Sequence, residues 1–232
     1  LGSFASAPAH AQNAAYPSKS IRLVIPFPPG GGTDILSRLV ANKLTENFQW
    51  TVVPDNKAGA NGMIASELVF NAPADGYTVL MATADTNSIN PNVFTKMSYV
   101  ARDFRGVAPV AKVNFMLVAR PGLKANTLSE LVALAKGSEL TYASWGVGST
   151  SQVAMEMFKA ATKTRVVHIP YRGAAPAVSD VVGGQVEMTV SIVNQIIPHA
   201  RAGRLRTLAV TSRKRLPTLP DVPTLDEAGV PG

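Results

Sequence analysis

The stretch IRLVIPFPPGGGTD, Ile21 to Asp34, most constrains how this chain can fold. Ile21 to Ile25 are mostly β-branched or aliphatic and favour a buried strand, while Pro28, Pro29 and Gly30 to Gly32 continue neither a ladder nor a helix. After that loop, Thr33 or Asp34 can cap a helix, with Asp34 read as a cap rather than a pocket acid. The apolar positions Ile35, Leu36, Leu39, Val40, Leu44 and Phe48 recur with the period of one helical face, which predicts that they point inward. A helix N-terminus thus stands just beyond a strand's C-terminal end. In open α/β sheets ligands bind there, because unpaired first-turn amides and the positive end of the helix dipole attract anions.

The following segments repeat the alternation. Strands are expected at 51–54 and 77–82, with a helix at 63–71 that turns Ile64 and Leu68 inward. This β-α-β-α-β order predicts a parallel sheet with helices on its faces. The third strand ends in a polar loop, Thr83 to Ser88, at the level of the glycine loop. Residues 90–106 read as irregular and 107–118 as extended chain. A second series follows, with helices at 128–135, 152–161, 175–182 and 195–202 and strands at 140–143, 166–169, 186–191 and 205–210. Thr127 with Glu130 has capping-box spacing. His168 is expected to pack on a strand, and His199, after Pro198, to face solvent at a helix start. Ser212 to Pro223 reads as a return linker, and the helix expected near Thr224 is cut short at Gly232.

Several classes of function are disfavoured. The chain has no cysteine, so disulfides, Cys-ligated zinc, iron–sulfur clusters and a thiol nucleophile are absent. Its three histidines lie far apart, which predicts neither a metal site nor a cofactor. The net charge of +7 is mostly dispersed, and its one cluster, Arg201 to Arg215, has no interleaved aromatic. A solvated surface is the reading there, not a nucleic-acid interface. Residues 1–11, LGSFASAPAHA, end in an A-x-A pattern and read as the remnant of an export signal cleaved before Gln12. No run of apolar residues has the length needed to span a bilayer.

A second loop, YASWGVGSTS from Tyr142 to Ser151, again leads from a strand into a helix. Its glycines and hydroxyls form a nest suited to a carboxylate, and neither GxxxxGK[ST] nor a GxSxG elbow is present. With YPSKSIRLVIPFPPGGGTDILSRLVA, APADGYTVLMAT, INPNVF, VVHIPYRGAAPAVSDVVGGQVEM and RAGRLRTLAVTSRKRLPTLPDVPTLDEAGVPG, it makes the chain similar to the periplasmic solute-binding receptors of tripartite tricarboxylate transporters, the Bug family. The resemblance runs from Tyr16 onward with the motifs in family order.

That resemblance implies an α/β protein of the type II periplasmic binding protein fold, with two α/β domains around a ligand cleft. The implied domains are 12–112 and 113–212. Residues 213–232 would be a return linker and the truncated start of a C-terminal portion of the first domain. It implies a periplasmic, non-enzymatic monomer that captures a di-, tri- or aromatic carboxylate and delivers it to membrane permease subunits, with no metal and no cofactor. On the family pattern Pro28, Gly30, Gly31, Gly32 and Thr33 approach one end of the ligand. Ser144, Gly146, Gly148, Ser149 and Thr150 receive a carboxylate, and Thr83, Thr86, Asn87, Gly173, Ala174 and Pro176 line the cleft between. Two positions depart from relatives. Trp145 is large enough to narrow the pocket or stack on a ligand, or to be buried between domains. Ser191 stands where amino-acid-binding members carry an aspartate, which disfavours an α-amino acid. The competing reading is a periplasmic α/β enzyme acting on an acidic substrate.

Overall fold

The computed structural model describes residues 16–230, so the export-signal reading of residues 1–11 lies outside the described residues. The first sheet contains β1 (Ile21–Ile25), β2 (Val52–Asn56) and β3 (Thr78–Leu80) in the order β2-β1-β3, with both pairs parallel. Central β1 is apolar and buried, whereas Pro54 sits in an edge strand, where a missing ladder donor is tolerated. The crossovers are α1 (Gly32–Phe48) and α2 (Met63–Phe70).

The inner faces of these helices differ from the expected ones. In α1 the buried residues are Gly32, Asp34, Ser37 and Ala41, while Ile35, Leu39 and Phe48 are 44%, 53% and 59% exposed. In α2 Ala65 and Ser66 are buried and Ile64 is exposed. Small inward residues let a helix lie close on a narrow sheet, and the Ser37 hydroxyl donates back to the Thr33 carbonyl at 2.7 Å. The buried apolar cluster here is accordingly small, consisting of Leu23, Ala41 and Met81.

The stretch after β3 is not an open loop. Asp85–Ile89 forms a π-helical turn that runs into α3 (Asn90–Val93). Asn90 fastens it, donating to the Asn61 carbonyl at 3.0 Å and the Tyr99 hydroxyl at 3.3 Å, and the Tyr99 hydroxyl in turn donates to the Thr86 carbonyl.

The second sheet has five strands in the order β6-β5-β7-β4-β8. They are β4 (Phe115–Ala119), β5 (Leu140–Ser144), β6 (Val166–Pro170), β7 (Met188–Ile192) and β8 (Arg206–Val210), joined by α4 (Leu128–Gly137), α5 (Thr150–Thr162), α6 (Ala174–Val182) and α7 (Val193–Arg201). Only the end of the expected 107–118 extension pairs, and β4 runs antiparallel to both β7 and β8. Alternate residues of β4 enter opposite cores, Leu117 and Ala119 with Leu131, Tyr142 and Met155, Met116 and Val118 with Val178 and Ile196. The expected cap forms at α4: Thr127 Oγ1 accepts from the Glu130 amide at 3.2 Å, while Glu130 Oε2 reaches back to the amide of Asn126, one residue before the cap, at 2.6 Å. Because α7 begins directly after β7, Pro198 falls inside it and His199 lies in its last turn, not at a helix start. Beyond β8, Leu216, Leu219 and Val222 pack on one core of this sheet and Leu225, Ala228 and Val230 on the other.

Candidate functional site

The glycine loop is set by a buried carboxylate. Gly31 occupies the N-cap of α1 with no side-chain cap, and Asp34 lies in the first turn, 4% exposed. Its Oδ2 accepts from the Gly30 amide at 3.0 Å, and its Oδ1 accepts from Arg38 Nε at 3.0 Å and Asn56 Nδ2 at 2.9 Å. Asn56 Nδ2 also reaches the Phe27 carbonyl at 2.9 Å. Asp34 thus clamps the loop from inside, instead of capping the helix as expected. Burial pushes its carboxyl up, but the bonds from Arg38, Gly30 and Asn56 outweigh burial and hold it below the usual range. A depressed pKa stabilises the fold fully above the unfolded-state value of about 4 and loses that stabilisation as pH falls through the lower folded value. Asp34→Asn should therefore cost about 1–3 kcal/mol at neutral pH, read from urea unfolding, with the difference from wild type shrinking below about pH 4. An undiminished difference at low pH would show that the carboxylate charge is not what acts.

Loops of the two sheets meet. A Cβ added to Gly173, where φ is +129°, would lie 2.7 Å from Pro28 Cγ and Cδ, and one on Gly32 would lie 2.8 Å from Ile192 Cδ1. The N-termini of α1 and α6 therefore face each other across the seam, with Gly31 and Gly173 as N-caps that offer no side chain to their first-turn amides. Beside them opens a cavity of about 360 Å³ lined in part by Gly30, Ile35, Ala175, Asn194, Gln195 and His199. Asn194 Oδ1 and His199 Nδ1 are buried with no hydrogen-bond partner among the described residues.

The second loop is internally bonded. Gly148 N–H donates to Gln152 Oε1 at 2.7 Å, which fixes that amide, so Gln152 Nε2 donates to His168 Nδ1 at 3.3 Å. His168 then carries its proton on Nε2, 2.6 Å from Ser144 Oγ, and Ser144 donates onward to the Gly146 carbonyl at 3.0 Å. In this tautomer His168 donates to Ser144 and cannot take its proton, which opposes a serine nucleophile. Burial also pushes the His168 pKa down, favouring the neutral ring that this chain of bonds requires. Ser149 caps α5, its Oγ accepting from the Gln152 amide at 3.3 Å.

The residue that sequence reasoning missed is Asp85. It stands on the turn after β3, 4% exposed, and reaches across to the other sheet's loop. Its Oδ1 accepts from the Thr150 amide and from Thr150 Oγ1 at 2.6 Å, and its Oδ2 accepts from Trp145 Nε1 at 3.3 Å. Burial pushes its carboxyl above the ordinary range against the pull of these donors. The only signal in the sequence was an acid in an otherwise polar, uncharged loop.

The other predicted residues divide by environment. Pro28 meets Gly173, Gly30 lies against Ala175 and Gly32 against Ile192 at the seam, with Gly31, Thr33 and Ala174 their chain neighbours, while Pro176 is exposed on the first turn of α6. Thr86 is fully buried, its hydroxyl donating to the Thr83 carbonyl at 3.0 Å and to Asn87 Oδ1 at 2.7 Å. Trp145 is buried and stacks on Phe115 with centroids 6.0 Å apart. Ser191, also buried, donates to Gln195 Oε1 at 3.3 Å.

Comparison with known proteins accords with this arrangement. Residues 36–232 match the family described as "Tripartite tricarboxylate transporter family receptor". Protein BugT of Bordetella pertussis is 35% identical over 93% of this chain and 68% of its own length. A Pseudomonas relative is 37% identical, and this chain spans 66% of it. Among solved structures, Rpa4515 of R. palustris with adipate superposes with a TM-score of 0.91 at 37% identity, covering 94% of this chain and 74% of that one. MatC from Rhodopseudomonas palustris with bound malate gives 0.84 at 28% identity, covering 93% and 74%. Two α/β sheets with facing strand-end loops, the motifs that build those loops, and these matches place the chain in the tripartite tricarboxylate transporter receptor family, to which Bug proteins belong.

Proposed function

We propose that the protein is a periplasmic, non-enzymatic receptor that closes its two domains, the chain crossing from the first to the second near residue 112, on a small organic carboxylate and delivers it to the permease subunits of a tripartite tricarboxylate transporter. The observation that carries this reading is the convergence of the α1 and α6 N-termini on one seam, with Gly32 and Gly173 permitting the close approach. Unpaired amides and two positive helix ends suit a carboxylate. The cavity beside them has room for a small acid, and ligand-dependent closure of two bodies is a familiar mode of capture. The neighbours carrying adipate and malate support a carboxylate as the ligand class. No helix among the described residues is long and apolar enough to cross a membrane. A monomer suffices, since both jaws come from one chain.

Isothermal calorimetry and thermal-shift screening of the complete protein against organic acids tests the reading. Saturable binding of an acid with no product formed is the expected result. Turnover of any acid would sink it.

A further inference from the structure

We propose that Asp85 determines specificity by supplying, from within the chain, the carboxylate that the α5 N-terminus would otherwise draw from a ligand, so that the cleft selects acids with one carboxylate and an uncharged far end over dicarboxylates of equal length. This rests on the receptor reading above.

Several donors of the Ser144–Thr150 loop are already engaged. The amides of Gly146, Gly148 and Ser149 have partners in Ser144 Oγ, Gln152 Oε1 and the Gly146 carbonyl, and the hydroxyls of Ser144 and Ser149 both donate to the Gly146 carbonyl. The Thr150 amide and hydroxyl and the Trp145 indole converge on Asp85. Amide and indole N–H groups can only donate, so they select the carboxylate form of their partner. All three donors belong to the second sheet's loop and Asp85 to the first sheet's turn, so the contact forms only when the two bodies are together. At the α1 and α6 N-termini the caps are glycines that offer no side chain to the first-turn amides, and a cavity opens beside them. The ligand's carboxylate belongs at those N-termini. A second carboxylate directed at the α5 N-terminus would meet Asp85 already bonded there, and like charges repel strongly where water is excluded.

The test is calorimetry at about pH 7 on the complete protein and its D85N and D85A variants, with matched pairs such as hexanoate and adipate. Wild type should bind the monocarboxylate roughly ten- to hundredfold more tightly than the dicarboxylate, the size set by charge repulsion at partial screening. Both variants should reduce that ratio at least tenfold. D85N retains the side chain's volume and reports the ratio if D85A proves unstable. A wild-type preference for the dicarboxylate, or a ratio unchanged in the variants, overturns the proposal while leaving the receptor reading intact. Failure of every protein to bind either acid overturns both.

Discussion

Gly173→Ala is expected to hold the two loops apart and weaken capture of the ligand acid at least tenfold. The new methyl would fall 2.7 Å from Pro28 Cγ and Cδ, a separation that real Cβ contacts do not sustain, and Pro28 sits in a ring-constrained loop with no flexible end to move aside. The closed arrangement must therefore open at this point, removing the apposition of α1 and α6 on which the proposed carboxylate site depends. The φ of +129° adds backbone strain of about 1–3 kcal/mol. Gly203→Ala separates the two effects, since its φ of +67° is also left-handed but nothing lies within 4 Å of an added Cβ. That control should lower stability while leaving affinity intact. Calorimetry gives the affinities, and small-angle scattering should show a larger radius of gyration for Gly173→Ala in the presence of ligand. Equal affinities for Gly173→Ala and wild type would remove this contact from the closure.

The second large effect concerns stability. Leu131 on α4 is fully buried in the core that also holds Leu117, Tyr142, Met155 and Met188. Leu131→Ala removes its branched end from close-packed surroundings and should cost about 2–5 kcal/mol, measured as a lower urea midpoint at unchanged slope. The first sheet has a far smaller buried cluster of Leu23, Ala41 and Met81. Amides of β1 and β3 should accordingly exchange with solvent faster than those of β4 and β7, and Leu131→Ala should raise exchange mainly in the second sheet. Uniform protection across both sheets would contradict this division of stability.

Much of the architecture was legible because it rests on local chemistry. The strand Ile21–Ile25 ends where prolines and glycines forbid continuation, and Thr127 with Glu130 builds the α4 cap within one helical turn. Periodicity was less informative in α1. The apolar face read from the period does not hold as a unit: Val40 packs on the core beside Ala41, Ile35 and Leu39 are exposed, and Asp34 and Ser37 take buried positions. The same limit applies to Asp34 itself, whose clamp needs Asn56 from the neighbouring strand.

The sequence by itself determined the alternation of strands and helices, the two glycine loops that end strands in front of helices, and the affinity of such loops for anions. Only the tertiary structure decided which of those loops' donors the chain's own side chains take up. Asp85 and Thr150 are 65 residues apart and sit on different sheets, so no local rule pairs them. Their meeting depends on how the two bodies close. Charge in a desolvated seam then gives that contact its proposed weight, because Asp85 occupies donors that a ligand's carboxylate would otherwise take.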